Sequence, residues 1–442
     1  MGRGGGPGGS PAARGPAEQA DRRKRRAEPE GSSHVRSPAP FASAAPAVPG
    51  GRAHGPPGGP PRGGGGRVRA AWYERQGPAG RVLTVGELPD PVPVAGEVRV
   101  RLAAAGVNAA DVDRRSGRDG RPMREPLVVP GQDGAGVVDL VGPGVPKARL
   151  GERVWVYFAA RGKAFGTSAE YVVVPAAQAV PLPEAASFET GAALGLPALA
   201  AHHALFCAGQ VRGRAVLVPG GGRAAGRCAV ELAARAGALV LATAAGEEER
   251  RAARRSGADH VLEEGDGEPG RLARAVLGLV PGGVDLVVDA ALGDHLPWAA
   301  AVLARRGTLV GHGPGSLPEP ALPLAELRAR QATLRLLDVL ETPPGELRAA
   351  VAHLGRLLAA GALAQPIAAR HPLAAAAAAH EEVERGAGLG AVLLLPRAGA
   401  TDEGEGGGSG GAPGAGPGAG AGEGPKAWNR PPEAGREPGP RP

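Results

Sequence analysis

Between Val216 and Ala238 the chain reads VLVPGGGRAAGRCAVELAARAGA: an apolar run, three glycines, then an alanine-rich stretch. In a nucleotide-binding βαβ unit one glycine permits the tight turn. A second lets backbone approach a pyrophosphate, and a third lets helix pack on strand. Phosphates settle at such a helix N-terminus because its free N–H groups and dipole favour anions. Gly220, Gly221 and Gly222 supply the turn here and Gly226 the close packing, with Arg223, Ala224 and Ala225 between them. A ligand-free turn can carry the same letters. What favours a dinucleotide seat is context: the run follows a strand, opens a helix and starts an alternating series.

The next strand, ALVLATAAGEEERR, ends in Thr243-Ala244-Ala245 rather than in an acid. An acid there would bind the adenosine ribose hydroxyls and repel a 2′-phosphate. Its absence, with Arg250 and Arg251 close by, tilts the expectation towards NADP over NAD, with Thr243 and Arg251 as cofactor contacts. The alternative is that the two arginines are a solvated helix face.

Metal chemistry is not expected. A catalytic zinc needs about three Cys, His or acid ligands and a structural one usually four. The chain has two cysteines, Cys207 and Cys228. His202 and His203 are adjacent, so on a helix they point in different directions.

The elements that must position these residues occupy only part of the 442-residue chain. Residues 1–66 and 398–442 are Gly-, Pro-, Ala- and Arg-rich with almost no large apolar side chains. Such composition cannot offset chain entropy by burial, so both ends are expected to be disordered. Roughly 330 residues remain, enough for two cores. From Arg67 to about Pro183 short β runs separated by Gly and Pro read as a mostly antiparallel β domain, EVRVRLAAAGV alternating with period two. After Ser187 the pattern changes. Helical segments come first, then strands alternate with helices at Ala225–Ala236, Glu247–Ser256, Arg271–Leu279 and Leu296–Arg305, implying a parallel sheet covered on both faces. A strand candidate at Thr333–Leu340, a helix pair and AVLLLP close the core. The class is α/β. The divisions expected are 67–190, a β catalytic domain; 191–335, a nucleotide-binding domain; and 336–397, a return to the first.

The net charge is +7, and the one dense cationic run is Arg22–Arg26 (RRKRR). It reads either as a nuclear-import or nucleic-acid patch or as a solvated tail. No apolar run is long enough to span a bilayer, and no signal-peptide core is visible. With two cysteines, a reducing, cytoplasmic compartment is the expectation. A nuclear location through the basic run and a mitochondrial one stay open.

Several linked segments carry a resemblance. AAGVNAADVDRRSG, PGQDGAGVVDLVGPGV, LGERVWVY, GTSAEYVVVP and LGLPALAAHHALF precede the glycine loop, and SGADHVL and GGVDLVVDA follow it. Together they resemble the zinc-independent quinone oxidoreductase, or ζ-crystallin-like, branch of the medium-chain dehydrogenase/reductase superfamily. The resemblance implies a GroES-like catalytic domain, closed by C-terminal residues, around a Rossmann doubly wound parallel-sheet domain. It also implies hydride transfer from NADPH to a quinone or α,β-unsaturated carbonyl, in a homo-oligomer. In the zinc-dependent relatives the stretch matching GQDGAGVV begins Gly-His-Glu; here Gln132 and Asp133 stand there, and Asn108 lies in the region of the catalytic cysteine. Without a Lewis acid the carbonyl oxygen needs hydrogen-bond donors. Asn108 and Tyr157 are the candidates, with Arg161 and Lys163 on the following loop.

The chain departs from the family pattern at four places. The loop G-A-S-G-G-V-G becomes GGGRAAG, so Arg223 either crowds the pyrophosphate or pairs with it. Ala200, Asp113 and Ala391 replace a threonine, a tyrosine and a basic residue. Two alternatives to the reductase follow: a pseudoenzyme with weakened cofactor binding, and an RNA-associated relative.

Overall fold

The computed structural model describes residues 66–397 apart from 266–268, 314–319, 364 and 387–388. The expectations for the two chain ends, the basic run included, lie outside the described residues.

The first part of the chain builds strands β1 (Arg67–Trp72), β2 (Thr84–Pro89), β3 (Glu97–Val107), β4 (Asp133–Val141), β5 (Arg153–Val156), β6 (Tyr171–Pro175) and β7 (Ala179–Pro181). Between them lie helices α1 (Ala79–Val82) and α2 (Ala109–Ser116). β1 and β2 form an antiparallel pair of their own. The longest strand, β3, is the hub of a seven-stranded sheet, hydrogen-bonded to both β4 and β6. Its buried Arg99 is held by two carboxylates, Asp90 at 2.7 and 2.8 Å and Asp139 at 2.8 and 3.1 Å, so the charge is matched where the alternation fails.

Helices α3 (Phe188–Ala192) and α4 (Gly195–Phe206) lead into β8 (Ala215–Val218), α5 (Ala224–Arg235), β9 (Leu239–Ala244), α6 (Gly246–Arg255) and β10 (His260–Glu263). The series continues with α7 (Pro269–Leu279), β11 (Val284–Asp289), α8 (Leu292–Ala301), β12 (Leu303–Gly311), α9 (Leu324–Arg330) and β13 (Thr333–Leu336). The six strands form a parallel sheet in the order β10-β9-β8-β11-β12-β13. β8 is buried at all four positions, as expected of a strand covered on both faces. The order reverses between β8 and β11, opening the crevice where doubly wound sheets bind ligands.

The chain then adds α10 (Pro344–Ala359), β14 (Ile367–Pro372), α11 (Ala376–Glu384) and β15 (Ala391–Leu395). β15 pairs antiparallel with β3, through Val392↔Val107 and Leu394↔Ala105, and β14 pairs with β15. The C-terminal residues thus return to the first sheet. One apolar cluster runs through both parts, joining Trp155 and Phe158 to Leu199 and Leu205 of α4, Val216 and Val230, and Leu354 of α10.

The helix expected over Leu296–Arg305 is displaced: α8 starts at Leu292 and stops at Ala301. Leu303 is drawn into register with Val284, and Arg306 has a left-handed φ of 64°, which no α-helix accommodates.

Candidate active site

The glycine turn leaves β8 at the open end of the crevice. Gly220 has φ +63°, and a Cβ on Gly226 would lie 2.2 Å from the Gly220 carbonyl oxygen, so only glycine permits this approach of α5. The Gly220 amide donates to Thr243 Oγ1 and Glu264 Oε1, both at 3.1 Å, and the Gly221 amide donates to the Thr243 carbonyl at 2.9 Å. The buried Thr243 hydroxyl in turn donates to Glu264. Thr243 therefore knits the turn to β9 with its hydroxyl already engaged. No side chain caps the N-terminus of α5, which leaves its first N–H groups open to a ligand.

Arg223 projects outward, 63% exposed, and its Nε donates to Glu249 Oε1 at 3.2 Å. Ala224 and Ala225 begin α5, and the Ala224 carbonyl accepts from Gln365 at 3.1 Å. Arg250 is bound to Glu247 and Glu263 at 2.7 and 2.6 Å, and Arg251 to Glu247 at 3.0 Å. Neither arginine contacts the turn. Within α5 the buried Cys228 thiol is pushed up to about 12 by burial.

Asn108 sits where β3 hands over to α2. Its Nδ2 donates to Asp133 Oδ2 at 2.8 Å, and its backbone amide donates to Asp111 Oδ2 at 2.9 Å. Both oxygens of Asp133 accept from the Leu196 amide at 2.8 Å, tying the site to the start of α4. That approach requires Gly195, since a Cβ there would lie 2.2 Å from Asp133 Oδ1. Burial pushes Asp133 up to about 8, with the nearby Asp111 charge adding to it. Burial likewise pushes Asp111 up to about 7. Next to them the Gln132 Oε1 and Thr167 Oγ1 atoms are buried without a protein partner.

Tyr157 follows β5 and faces elsewhere. Its hydroxyl donates to the Ala177 carbonyl at 3.3 Å, and its ring lines a groove of about 440 Å³ with Val180 and Pro181 of β7 and Arg348, Val351 and Arg356 of α10. The two candidate donors, Asn108 and Tyr157, thus meet different neighbours. Arg161 lies near Glu341 at 3.6 Å and Lys163 pairs with Glu97 at 2.7 Å.

His202 and His203 diverge as adjacent helical residues must, the first to His353 at 3.1 Å and the second to Glu346 at 3.3 Å. Among the described residues no three His, Cys, Asp or Glu side chains converge in a group able to hold a metal. Nor is any described helix long and apolar enough to cross a membrane.

Sequence reasoning passed over three groups. Glu249 and Glu264 lie against the glycine turn, and the acid-rich GEEE after β9 was the available signal for the first. At the end of β11, Asp289 Oδ2 accepts from His295 Nδ1 at 2.9 Å. Burial works against protonation of His295, but the Asp289 hydrogen bond and the charges of Asp289, Glu264 and Asp294 outweigh it, so the imidazole keeps its proton to higher pH than usual.

Residues 94–184 match the family profile of the alcohol dehydrogenase GroES-like domain, and residues 256–394 that of zinc-binding dehydrogenase. The chain is 29% identical to mouse quinone oxidoreductase over 307 residues, which covers 69% of this chain and 91% of the relative. Among solved structures, an NAD-dependent alcohol dehydrogenase is 31% identical with a TM-score of 0.67, over 74% of this chain and 99% of that one. A mycobacterial protein solved with NADPH is 30% identical with a TM-score of 0.66, over 74% of this chain and all of that one (100%). The chain belongs to the medium-chain dehydrogenase/reductase superfamily. Within it the quinone oxidoreductase, ζ-crystallin-like branch is its place, and the protein is an oxidoreductase of that kind.

Proposed function

We propose that this protein transfers hydride from a reduced nicotinamide dinucleotide to a quinone or α,β-unsaturated carbonyl, without help from a metal. The observation that carries this reading is the glycine turn at the β8–β11 crevice, where the strand order reverses and the α5 N-terminus is uncapped. The residues present fit a dinucleotide: Gly226 lets helix and turn meet, and the open α5 amides suit a pyrophosphate. NADPH is the donor that the sequence favours, and the mycobacterial protein solved with NADPH supports it. The NAD-dependent relative supports NADH as the alternative.

A bound nicotinamide supplies the hydride. The protein's own task is to orient the acceptor and stabilise the charge that develops on its carbonyl oxygen. Asn108 is suited to this. Its amide donates to Asp133, and the same side chain also hydrogen-bonds Asp111, so an acceptor carbonyl would share this donor with the two carboxyl groups. Asp133, fixed by the Leu196 amide, holds that amide in one orientation. Burial raises both carboxyls beside Asn108, Asp133 to about 8 and Asp111 to about 7. This favours their neutral forms below about pH 7 and keeps full negative charge away from the developing oxyanion there. Arg223 leans against Glu249 rather than over the turn, which weighs against the pseudoenzyme alternative.

The test is a binding and turnover pair on the full chain. Titration with NADH and with NADPH should show saturable binding of at least one, and the bound cofactor should reduce an ortho-quinone with hydride loss from the nicotinamide. Absence of binding of either at millimolar concentration overturns the reading.

A further inference from the structure

The notch that receives the adenosine ribose in a fold of this kind lies between the glycine turn and the end of the second strand. Here it is bounded by Gly220–Arg223 and Thr243–Ala245, and two carboxylates enter it from other segments. Glu264, just beyond β10, accepts from the Gly220 amide at 3.1 Å and from the Thr243 hydroxyl. Glu249, in α6, accepts from the Ala245 amide at 2.9 Å, and its side chain is only 16% exposed. Its backbone packs so tightly under the turn that a Cβ on Gly222 would lie 2.6 Å from the Glu249 carbonyl oxygen.

The nearby cations offset this pair only in part, through Arg223 on Glu249. Arg223 already binds Glu249, Arg250 binds Glu247 and Glu263, and Arg251 binds Glu247. Arg271 donates to the Glu263 carbonyl at 2.8 Å. Glu264 is the one carboxylate of the notch with no guanidinium on it among the described contacts; its partners are an amide and a hydroxyl. A 2′-phosphate placed there would meet like charge, whereas a free ribose 2′-hydroxyl would find acceptors.

We propose that Glu249 and Glu264 together set the choice of dinucleotide, admitting the form with a free ribose 2′-hydroxyl and rejecting the 2′-phosphorylated one. The acid absent from the end of β9 is thus supplied from α6 and from the β10 end. NADH is then the tighter ligand, which reverses the NADPH preference read from the end of β9 and rests on the hydride-transfer reading above.

The experiment is calorimetric titration of the full chain with NADH, NADPH, ADP-ribose and 2′-phospho-ADP-ribose, repeated for Glu249→Gln and Glu264→Gln. For the unaltered protein NADH should bind about tenfold or more tighter than NADPH, with the same order for the two fragments that lack nicotinamide. Each substitution should narrow that ratio by tightening the phosphorylated ligand while NADH is unchanged or weaker. A merely structural carboxylate would weaken both ligands alike, and that outcome overturns the assignment. So does NADPH binding tighter than NADH in the unaltered protein, a comparison that needs no variant to fold. Failure of all four ligands to bind would instead overturn the oxidoreductase seat itself.

Discussion

The Asn108 amide and the Asp133 carboxylate meet at 2.8 Å where β3 ends and β4 begins, two strands in register at Gly106↔Asp133. The pair is anchored from a third element by the Leu196 amide, so its orientation does not depend on a loop. Asn108→Ala should therefore lower kcat/KM by about 10²–10³-fold, the range for loss of one oxyanion donor, with the dissociation constant for the dinucleotide unchanged. Steady-state kinetics beside direct cofactor titration measures both; an unchanged kcat/KM would remove Asn108 from the site.

Asp133 and Asp111 give the fold a pH dependence of known sign. Burial raises both above the usual carboxylate range, to about 8 and about 7. Between the unfolded value near 4 and these folded values the native state binds more protons than the unfolded one, so stability falls as pH rises. Their contribution is full below about pH 4 and is lost as pH rises through about 7 to 8. Melting curves from pH 4 to 9 should show this fall, and Asp133→Asn should flatten it.

Tyr157→Phe separates two roles. Its hydroxyl is bonded to the Ala177 carbonyl over the groove beside α10, away from the contacts of Asn108. Loss of that bond should cost stability of about 1 kcal/mol and leave kcat within about threefold. A fall in kcat of about a hundredfold or more would place the hydroxyl at the reacting oxygen instead.

Gly226→Val should abolish dinucleotide binding, because its Cβ would stand 2.2 Å from the Gly220 carbonyl oxygen and push α5 off the turn. Titration of a variant whose far-ultraviolet dichroism is unchanged checks this. Retained affinity would mean that the turn is not the seat.

Trp155, fully buried, links the first sheet to α4 in the shared apolar cluster. Trp155→Ala should cost about 3–5 kcal/mol. Because the cluster is continuous, denaturant unfolding should shift as one transition rather than split into two.

Local pattern alone determined much of this protein. Period-two alternation marked β3, a fully apolar run marked β8, a mostly apolar one marked β11, and the glycines at 220–222 and 226 marked the turn, because each signal lies within a few residues. Asn108 was singled out by the resemblance of the GVN segment to the zinc-independent family, and it stands at the turn that leads into α2. Tertiary structure decided the rest. Gly220 and Glu264 are 44 residues apart and meet only because β10 and β9 lie side by side, beyond β8. Glu249 reaches the turn through the packing of α6, and the tertiary structure pairs Arg250 and Arg251, the cations the sequence offered to the cofactor, with Glu247 and Glu263. Tyr157 and Asn108 carry suitable chemistry in the sequence, yet their hydroxyl and amide turn to different neighbours. Residue type states what a group can do. Which groups converge depends on strand order and helix packing, and these are set by long-range burial that no local period encodes.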